Sequence, residues 1–342
     1  MDFRFTEDQL MMAETARKLL ASTASSAQLR AMLAKAEARD ETRWSAIVEN
    51  GLTLIVLPEV AGGLGLGETD FVLTAEAAGY AALPEPLVES AGIAAPLLAT
   101  INPSHVLLAD PAQSLAIGPA INPYIADADT AAALLLEHKG STYLRRPDEV
   151  KLTRQESLDP FRRLFKVEWE PTGAPLSQDA ALWRDALDRG ALFAAAQCAG
   201  LAQRAIDIAV EYAKTREQFG KPIGSYQAVK HLIANAQVAV EFVRPVIHAA
   251  AASFAQRDLF SRARISHAKI VAAEAADLAT RASLQVHGAM GYSWDVDVHF
   301  LLKRALALGA AWGGPGFHRN RVLTRLREAP AGPEYGFARA GA

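Results

Sequence analysis

A single cysteine, Cys198, occurs in 342 residues, inside a run of alanines. One thiol closes no intrachain disulfide and completes no cysteine metal site, so the sequence assigns it a buried, small apolar role. The eight histidines form no H-E-x-x-H pattern and no close pair with a carboxylate at ligand spacing, so no metal site is expected. An excess of one charge is also missing. Thirty-five Lys and Arg against 38 Asp and Glu leave a net charge of −3 with the signs interspersed. That excludes a basic stripe for nucleic acid and a polybasic arm for lipid. No uncharged run reaches the roughly 18 residues of a membrane span. The opening MDFRFTEDQLMM has acidic and polar residues where a secretory leader carries its apolar run. A cytoplasmic protein is expected, with neither nucleic acid nor membrane as partner. The glycines of GGLGLGE at 62–68 miss the G-x-G-x-x-G order and no βαβ repeat surrounds them, so they predict a turn and not a dinucleotide loop.

What is present is helix, in a chain long enough for two or three packed subdomains. The sequence predicts a mainly α protein with a small β domain: an N-terminal helical domain over 1–100, a reduced β-rich middle domain over 101–180, a C-terminal helical bundle over 181–330, and a tail at 331–342. Thr6-x-x-Gln9 is a capping-box spacing and opens a helix over 6–22. A short helix over 44–50 ends at Gly51, and a helical stretch over 71–99 breaks at Leu-Pro-Glu-Pro, where Pro84 and Pro86 remove donors. Between 101 and 178 prolines recur and helical periodicity fades. The best strand there is 164–169, with Leu164, Lys166 and Glu168 on one face and Phe165, Val167 and Trp169 on the other. Four long helices follow, over roughly 183–214, 225–254, 261–285 and 297–326. Pro245 is expected to kink the second near Glu241.

Two stretches combine residues that could carry chemistry. TREQFGKPIGSYQ at 215–227 sets the Arg216 guanidinium fork beside the flat Phe219 ring, while Gly220, Pro222 and Gly224 bend the chain. From the residues alone this is either an anion-binding corner or an ordinary helix corner with a solvated charge. QVHGAMGY at 285–292 offers small residues that let backbone N–H groups approach a phosphate, with Gln285 to donate and accept. An ordinary glycine-terminated helix accounts for it equally.

The two stretches together carry a resemblance. Arg216, Phe219, Gly220, Ile223 and Gln227 follow R-x-x-F-G-x-x-[IL]-x-x-x-Q, which resembles the FAD-contacting signature of the acyl-CoA dehydrogenase family. Gln285, Gly288, Gly291 and Tyr292 resemble the family's Q-x-x-G-G-x-G-[YF], with Ala289 in place of the second glycine. An N-terminal pattern of the family is matched by Trp44, Ile47, Gly51, Pro58, Glu59, Gly62, Gly63 and Gly65. The resemblance implies a helical N-terminal domain, a β middle domain and a C-terminal four-helix bundle. It implies FAD at a subunit boundary, with Arg216, Gln218, Phe219, Gln227, Gln285, Val286, Gly288 and Ala289 reaching the ADP half of FAD bound by a neighbour. It also implies removal of an α-proton from an acyl thioester while the β-hydride leaves for the flavin, which requires a carboxylate base.

That base is missing from both places where the family puts it. Aligned on Arg304, the glutamate position is Gly313, and the alternative position, counted back from Gly200, is Gly190. The family's flavin-ring loop, T-E-P-x-x-G-S-D, is absent from 115–130, as is its W-I-T-[NS] strand. The chain thus resembles the short, base-less subunit of heteromeric α2β2 acyl-CoA dehydrogenases associated with bulky CoA thioesters such as steroid side chains. This implies a catalytic partner subunit that binds most of the acyl-CoA, and an electron-transfer flavoprotein as acceptor. Two alternatives stay open: a self-sufficient homomeric enzyme with a displaced base such as Asp295 or Asp297, and a flavin-free scaffold. His287 is open between a cofactor contact and turn packing, and Arg162 and Arg163 are expected as exposed ion pairs.

Overall fold

Thr6 starts the first helix by chemistry local to four residues. Its hydroxyl accepts from the Gln9 N–H, and the Gln9 side chain accepts from the Thr6 N–H at 2.9 Å, so two open donors of α1 (Glu7–Thr23) are satisfied. Ser25 and Gln28 repeat the device for α2 (Ser26–Ala34), and Asp40 caps α3 (Glu41–Glu49). The computed structural model describes residues 4–35 and 39–328; the tail expected at 331–342 lies outside the described residues. After the glycine turn comes α4 (Glu68–Tyr80). Beyond Pro84 and Pro86 the chain winds as a π-helix over Leu87–Ala94 before α5 (Ala95–Ile101).

Six strands follow: β1 (Leu115–Gly118), β2 (Tyr124–Ala126), β3 (Ala133–His138), β4 (Ser141–Arg145), β5 (Lys151–Gln155) and β6 (Leu164–Glu168). They form two three-stranded sheets, β1-β3-β4 with β1 and β3 parallel, and β2-β6-β5 antiparallel throughout. On β6, Phe165 is buried while Lys166 and Glu168 are exposed, the alternation read from the sequence.

The C-terminal part is α6 (Ala181–Thr215), a hairpin of β7 (Glu217–Gln218) and β8 (Lys221–Pro222), α7 (Gln227–Ser253), α8 (Leu259–His287), α9 (Val298–Ala310) and α10 (Pro315–Glu328). α7 continues through Pro245. The stretch Gln227–Gln256 is long and apolar enough to cross a membrane, and 44% of its most apolar window is buried inside the protein. The single helix expected over 297–326 is two. Trp312 (φ +58°) and Gly313 (φ +102°) leave the right-handed region and end the run.

α6 is the axis of the molecule. Every residue from 190 to 202, GALFAAAQCAGLA, is buried, so this stretch is covered on all sides. Its small side chains let neighbouring backbones touch it. A Cβ on Gly200 would stand 1.9 Å from the Glu76 carbonyl oxygen, and one on Gly79 of α4 would stand 2.1 Å from the Gln197 carbonyl oxygen. Cys198 is fully buried here, and burial pushes its thiol up to about 11.

Buried charges tie the parts together. The Lys269 ammonium of α8, 1% exposed, donates to the carbonyls of Leu308 (2.7 Å) and Gly309 (2.9 Å), capping the end of α9; desolvation lowers its pKa. Arg43 donates to Glu85 at 2.8 Å with both side chains buried, and to the Thr23 carbonyl at 2.7 Å. Arg39 pairs with Asp127 and Arg304 with Asp159, tying the strand connections to the segment before α3 and to α9, while Arg163 pairs with Asp129 within the β-rich region. Burial first, partly offset by Glu85, takes Arg39 down to about 10.

Two predictions follow from this packing. Gly200→Ala has no flexible atom to displace, since it meets the α4 backbone, and is expected to cost about 3 kcal/mol, the upper end for overpacking. Chemical unfolding measures it, and an unchanged midpoint contradicts the contact. The second concerns pH. Desolvation lowers both His248, edge-on to Phe5 at 4.7 Å, and His318 to about 4 from an ordinary 6.5. Their folded pKa values lie below the unfolded ones, so the stability they contribute is present above pH 6.5 and is lost as pH falls through about 4. Unfolding midpoints across that window should fall, and His248→Phe should flatten the fall.

Candidate functional site

The turn between β7 and β8 holds two residues, Phe219 and Gly220, at φ +54° and +80°. Positive φ at both central positions is the signature of a type I′ turn, whose twist matches that of paired strands. Gly220 adopts it without penalty, whereas Phe219 does so at a cost of about 1 kcal/mol. The strained residue is also 92% exposed, with only Tyr226 near, edge-on at 6.4 Å. The base of the hairpin is firm: Arg216 N–H donates to the Tyr212 carbonyl, Ile223 N–H to the Arg216 carbonyl, both at 2.8 Å, and the Tyr226 hydroxyl to the Gln218 carbonyl at 3.1 Å. The Arg216 side chain is exposed and, among the described residues, has no carboxylate within ion-pair distance. Gln218 and Gln227 are exposed on the same corner, Gln227 as the first residue of α7. Beneath lies an apolar cleft of about 530 Å³, lined by Ala213, Pro222, Val229 and Ile233, with Lys214 and Lys230 contributing to its wall.

The structure brings the second motif to this corner. Val286 is buried with Ala209 and Ala213 of α6, and Ile223 and Val229 pack on that cluster. His287 stacks on Tyr212 with ring centroids 4.2 Å apart, and its Nδ1–H donates to the Ser283 carbonyl at 2.7 Å. Burial lowers its pKa. His287 is therefore a packing residue that fastens the end of α8 to the end of α6. Gln285 stays exposed two residues earlier; Gly288 (φ +57°) and Ala289 are exposed beyond it.

The two positions considered for a base lie elsewhere, and they touch one residue. A Cβ on Gly190 would stand 2.1 Å from Cδ2 of Trp312, whose ring occupies the space above that glycine. A Cβ on Gly313 would stand 2.6 Å from the Phe317 ring and 2.9 Å from Nε2 of His318. His318 holds this corner: its Nε2–H donates to the Trp312 carbonyl at 3.0 Å, and Ser266 faces Nδ1 at 3.1 Å. The adjoining cavity, lined by Glu89, Arg162, Gln197, Arg304 and Ala311, holds about 40 Å³. That is room for a water or two, where a ring-bearing cofactor needs roughly 300 Å³ or more. The residues here do not fit a flavin ring, whereas the exposed Arg216 corner is open to an anionic group.

Sequence reasoning missed several features of this region. Arg162 is not an exposed ion pair but a half-buried guanidinium whose pKa desolvation lowers, because the strand connection folds it against α9. Asp297 is not a solvated loop charge: it accepts from Arg30 and Ser26. Asp295 is exposed as expected. Most histidines were expected at the surface or as caps, yet His318 is fully buried. The nearest signal was its place six residues after a tryptophan-glycine pair. No group of three His, Cys, Asp or Glu side chains among the described residues is placed to hold a metal ion.

Comparison with known proteins agrees with this geometry. The family model for the acyl-CoA dehydrogenase C-terminal domain matches residues 180–326, and that for the N-terminal domain matches residues 6–101. The acyl-CoA dehydrogenase IpdE2 of Mycobacterium tuberculosis is 32% identical over 327 residues, spanning 95% of this chain and 99% of the relative. Among solved structures, the ChsE4-ChsE5 complex of Mycobacterium tuberculosis superimposes with a TM-score of 0.85 at 23% identity, over 97% of this chain and 100% of that one. The Tcur3481-Tcur3483 steroid acyl-CoA dehydrogenase gives 0.81 at 23% identity, over 94% and 98%. With both family models matched over more than half its length and a relative aligned almost end to end, this chain belongs to the acyl-CoA dehydrogenase family.

Proposed function

We propose that this chain is the non-catalytic subunit of a heteromeric, FAD-dependent acyl-CoA dehydrogenase. It serves the ADP half of an FAD held mainly by a catalytic partner in an α2β2 assembly. One observation carries the reading: Arg216 and the strained Phe219 are exposed at one end of α6, while Trp312 fills the space over Gly190 at the other. An exposed guanidinium with no carboxylate at ion-pair distance among the described residues, on one hairpin with an outward aromatic ring, suits a pyrophosphate and an adjoining flat group. Gln218, Gln227, Gln285 and the backbone around Val286, Gly288 and Ala289 complete the contact set. FAD, when bound, supplies the acceptor for the hydride of the thioester's β-carbon. The partner provides the carboxylate base and most of the acyl-CoA site.

The substrate proposed is a bulky CoA thioester such as a steroid side chain, with an electron-transfer flavoprotein as acceptor, in the cytoplasm. Support for the substrate comes from the steroid dehydrogenase among the structural neighbours, and for the assembly from the two-protein complexes there. A self-sufficient enzyme is less favoured, because Asp297 is engaged by Arg30 and Ser26 and the cavity beside Ala311 is too small for a flavin ring.

Flavin absorbance of the chain purified alone, and then with its catalytic partner, tests the reading. The chain alone should be colourless and the complex yellow, with one FAD per heterodimer. In the complex, Arg216→Ala should weaken FAD retention by roughly tenfold to a hundredfold, the loss of a charge-assisted hydrogen bond. Stoichiometric FAD and acyl-CoA oxidation by the isolated chain would overturn the proposal. Gly190→Glu gives a second test. The new side chain meets the Trp312 ring, so it should lower the unfolding midpoint and add no turnover per flavin; a gain in turnover contradicts the proposal.

A further inference from the structure

A second cavity lies between the α1–α2 turn, the end of α4, the middle of α6 and the start of α9. It encloses about 230 Å³, and Ala24, Leu29, Phe161 and Phe300 in its lining form one buried apolar cluster. Ile208 and Tyr80 add to the wall. Set among these is the Arg204 guanidinium, 5.5 Å from the centre of the Tyr80 ring.

The arginines around it are matched with carboxylates: Arg30 with Asp297, Arg304 with Asp159, Arg244 with Glu76. Arg204 has no carboxylate within ion-pair distance among the described residues. Arg204 interacts with the Tyr80 hydroxyl, and the carboxylates about this cavity are engaged by other donors. Asp207 accepts from the Tyr80 hydroxyl at 2.8 Å and from the Gln203 amide at 2.9 Å, and Asp297 holds Arg30 and Ser26. A half-buried cation at an apolar wall, without a fixed counter-charge, suits a ligand that brings its own anion.

Size and charge together narrow the ligand. An apolar cavity of about 150 Å³ admits benzene, so this one accommodates a ring or a chain of about eight carbons with a polar head. We propose that it binds a free carboxylic acid with a short apolar body, the carboxylate on Arg204 and the body against Leu29, Ile208 and Phe300. A thioester carbonyl carries no charge, so the site prefers the free acid to its CoA ester. This proposal is independent of the shared-cofactor reading, since Arg204 lies away from both the hairpin corner and Trp312.

Calorimetric titration of the full chain, with its partner if the two are purified together, tests it with octanoate and with octan-1-ol as the uncharged match. Octanoate should bind once per chain, and Arg204→Met should weaken it by roughly tenfold or more, the size of a charge-assisted contact. Ile208→Trp, which fills the cavity, should abolish binding. Octan-1-ol should bind more weakly and be insensitive to Arg204→Met. No octanoate binding up to about 10 mM overturns the proposal. So does octanol binding as tightly as octanoate, or undiminished octanoate binding in folded Ile208→Trp, which decides the matter alone if Arg204→Met does not fold.

Discussion

The contact between the backbones of α4 and α6 is the constraint on which the rest of the structure depends. Gly79 and Gly200 face the opposing main chain with no room for a methyl group, and the α6 stretch around Gly200, residues 190 to 202, is wholly buried and rich in alanine. A core of small side chains obtains its cohesion from many short-range contacts and little from any one residue. Such a core tolerates added volume poorly, because relief requires moving a helix and not a rotamer. The two polar side chains near its centre, Gln197 and Lys269, are accommodated by position: Lys269 spends its protons on the carbonyls that end α9.

The same thinness creates the hole above Gly190, and Trp312 fills it. To bring the indole there the chain must leave α9 abruptly, which it does with two consecutive positive φ angles and a hydrogen bond from His318 to the Trp312 carbonyl. The glycines at 190 and 313 are therefore one feature seen twice. A side chain at the first displaces the indole, and a side chain at the second meets Phe317 and His318 while also bearing an unfavourable φ. The ion pairs Arg39–Asp127 and Arg304–Asp159 draw the strand connections against the helical parts around this corner. Pairs this deeply buried are costly to break one partner at a time, so they resist reopening of the small cavity they border.

What was legible in the sequence was local or periodic. The Thr6–Gln9 box, the alternation on β6, the burial of Cys198 and the bend at Phe219–Gly220 depend on residues a few places apart, and the motif spacings carried the family. What escaped depends on partners distant in sequence. Nothing near Gly190 announces that Trp312 lands on it, nothing near Asp297 announces Arg30, and nothing within Leu87–Ala94 announces its π winding or its packing against β1. The absence of a T-E-P-x-x-G-S-D run could be read from the sequence, whereas the cavity of about 40 Å³ beside Ala311 is a property of the folded chain.

Under the shared-cofactor reading, length along α6 lets one end serve a function that the other does not. Gly190 and Arg216 lie on or at the end of the same continuous helix, and at about 1.5 Å per residue they are roughly 40 Å apart. Filling the space over Gly190 thus acts on a corner that shares no side chain with the hairpin. The hairpin is fixed instead by Val286, His287 and Tyr212, which fasten α8 to the far end of α6. Strain at Phe219 fits this division. Phe219 forms the turn of its hairpin, but its exposed ring adds little packing to its own chain, and such strain persists where the surrounding structure holds it and a contact outside the chain uses it. Under the shared-cofactor reading that contact is the partner's FAD, and the subunit's own catalytic corner is free to become packing.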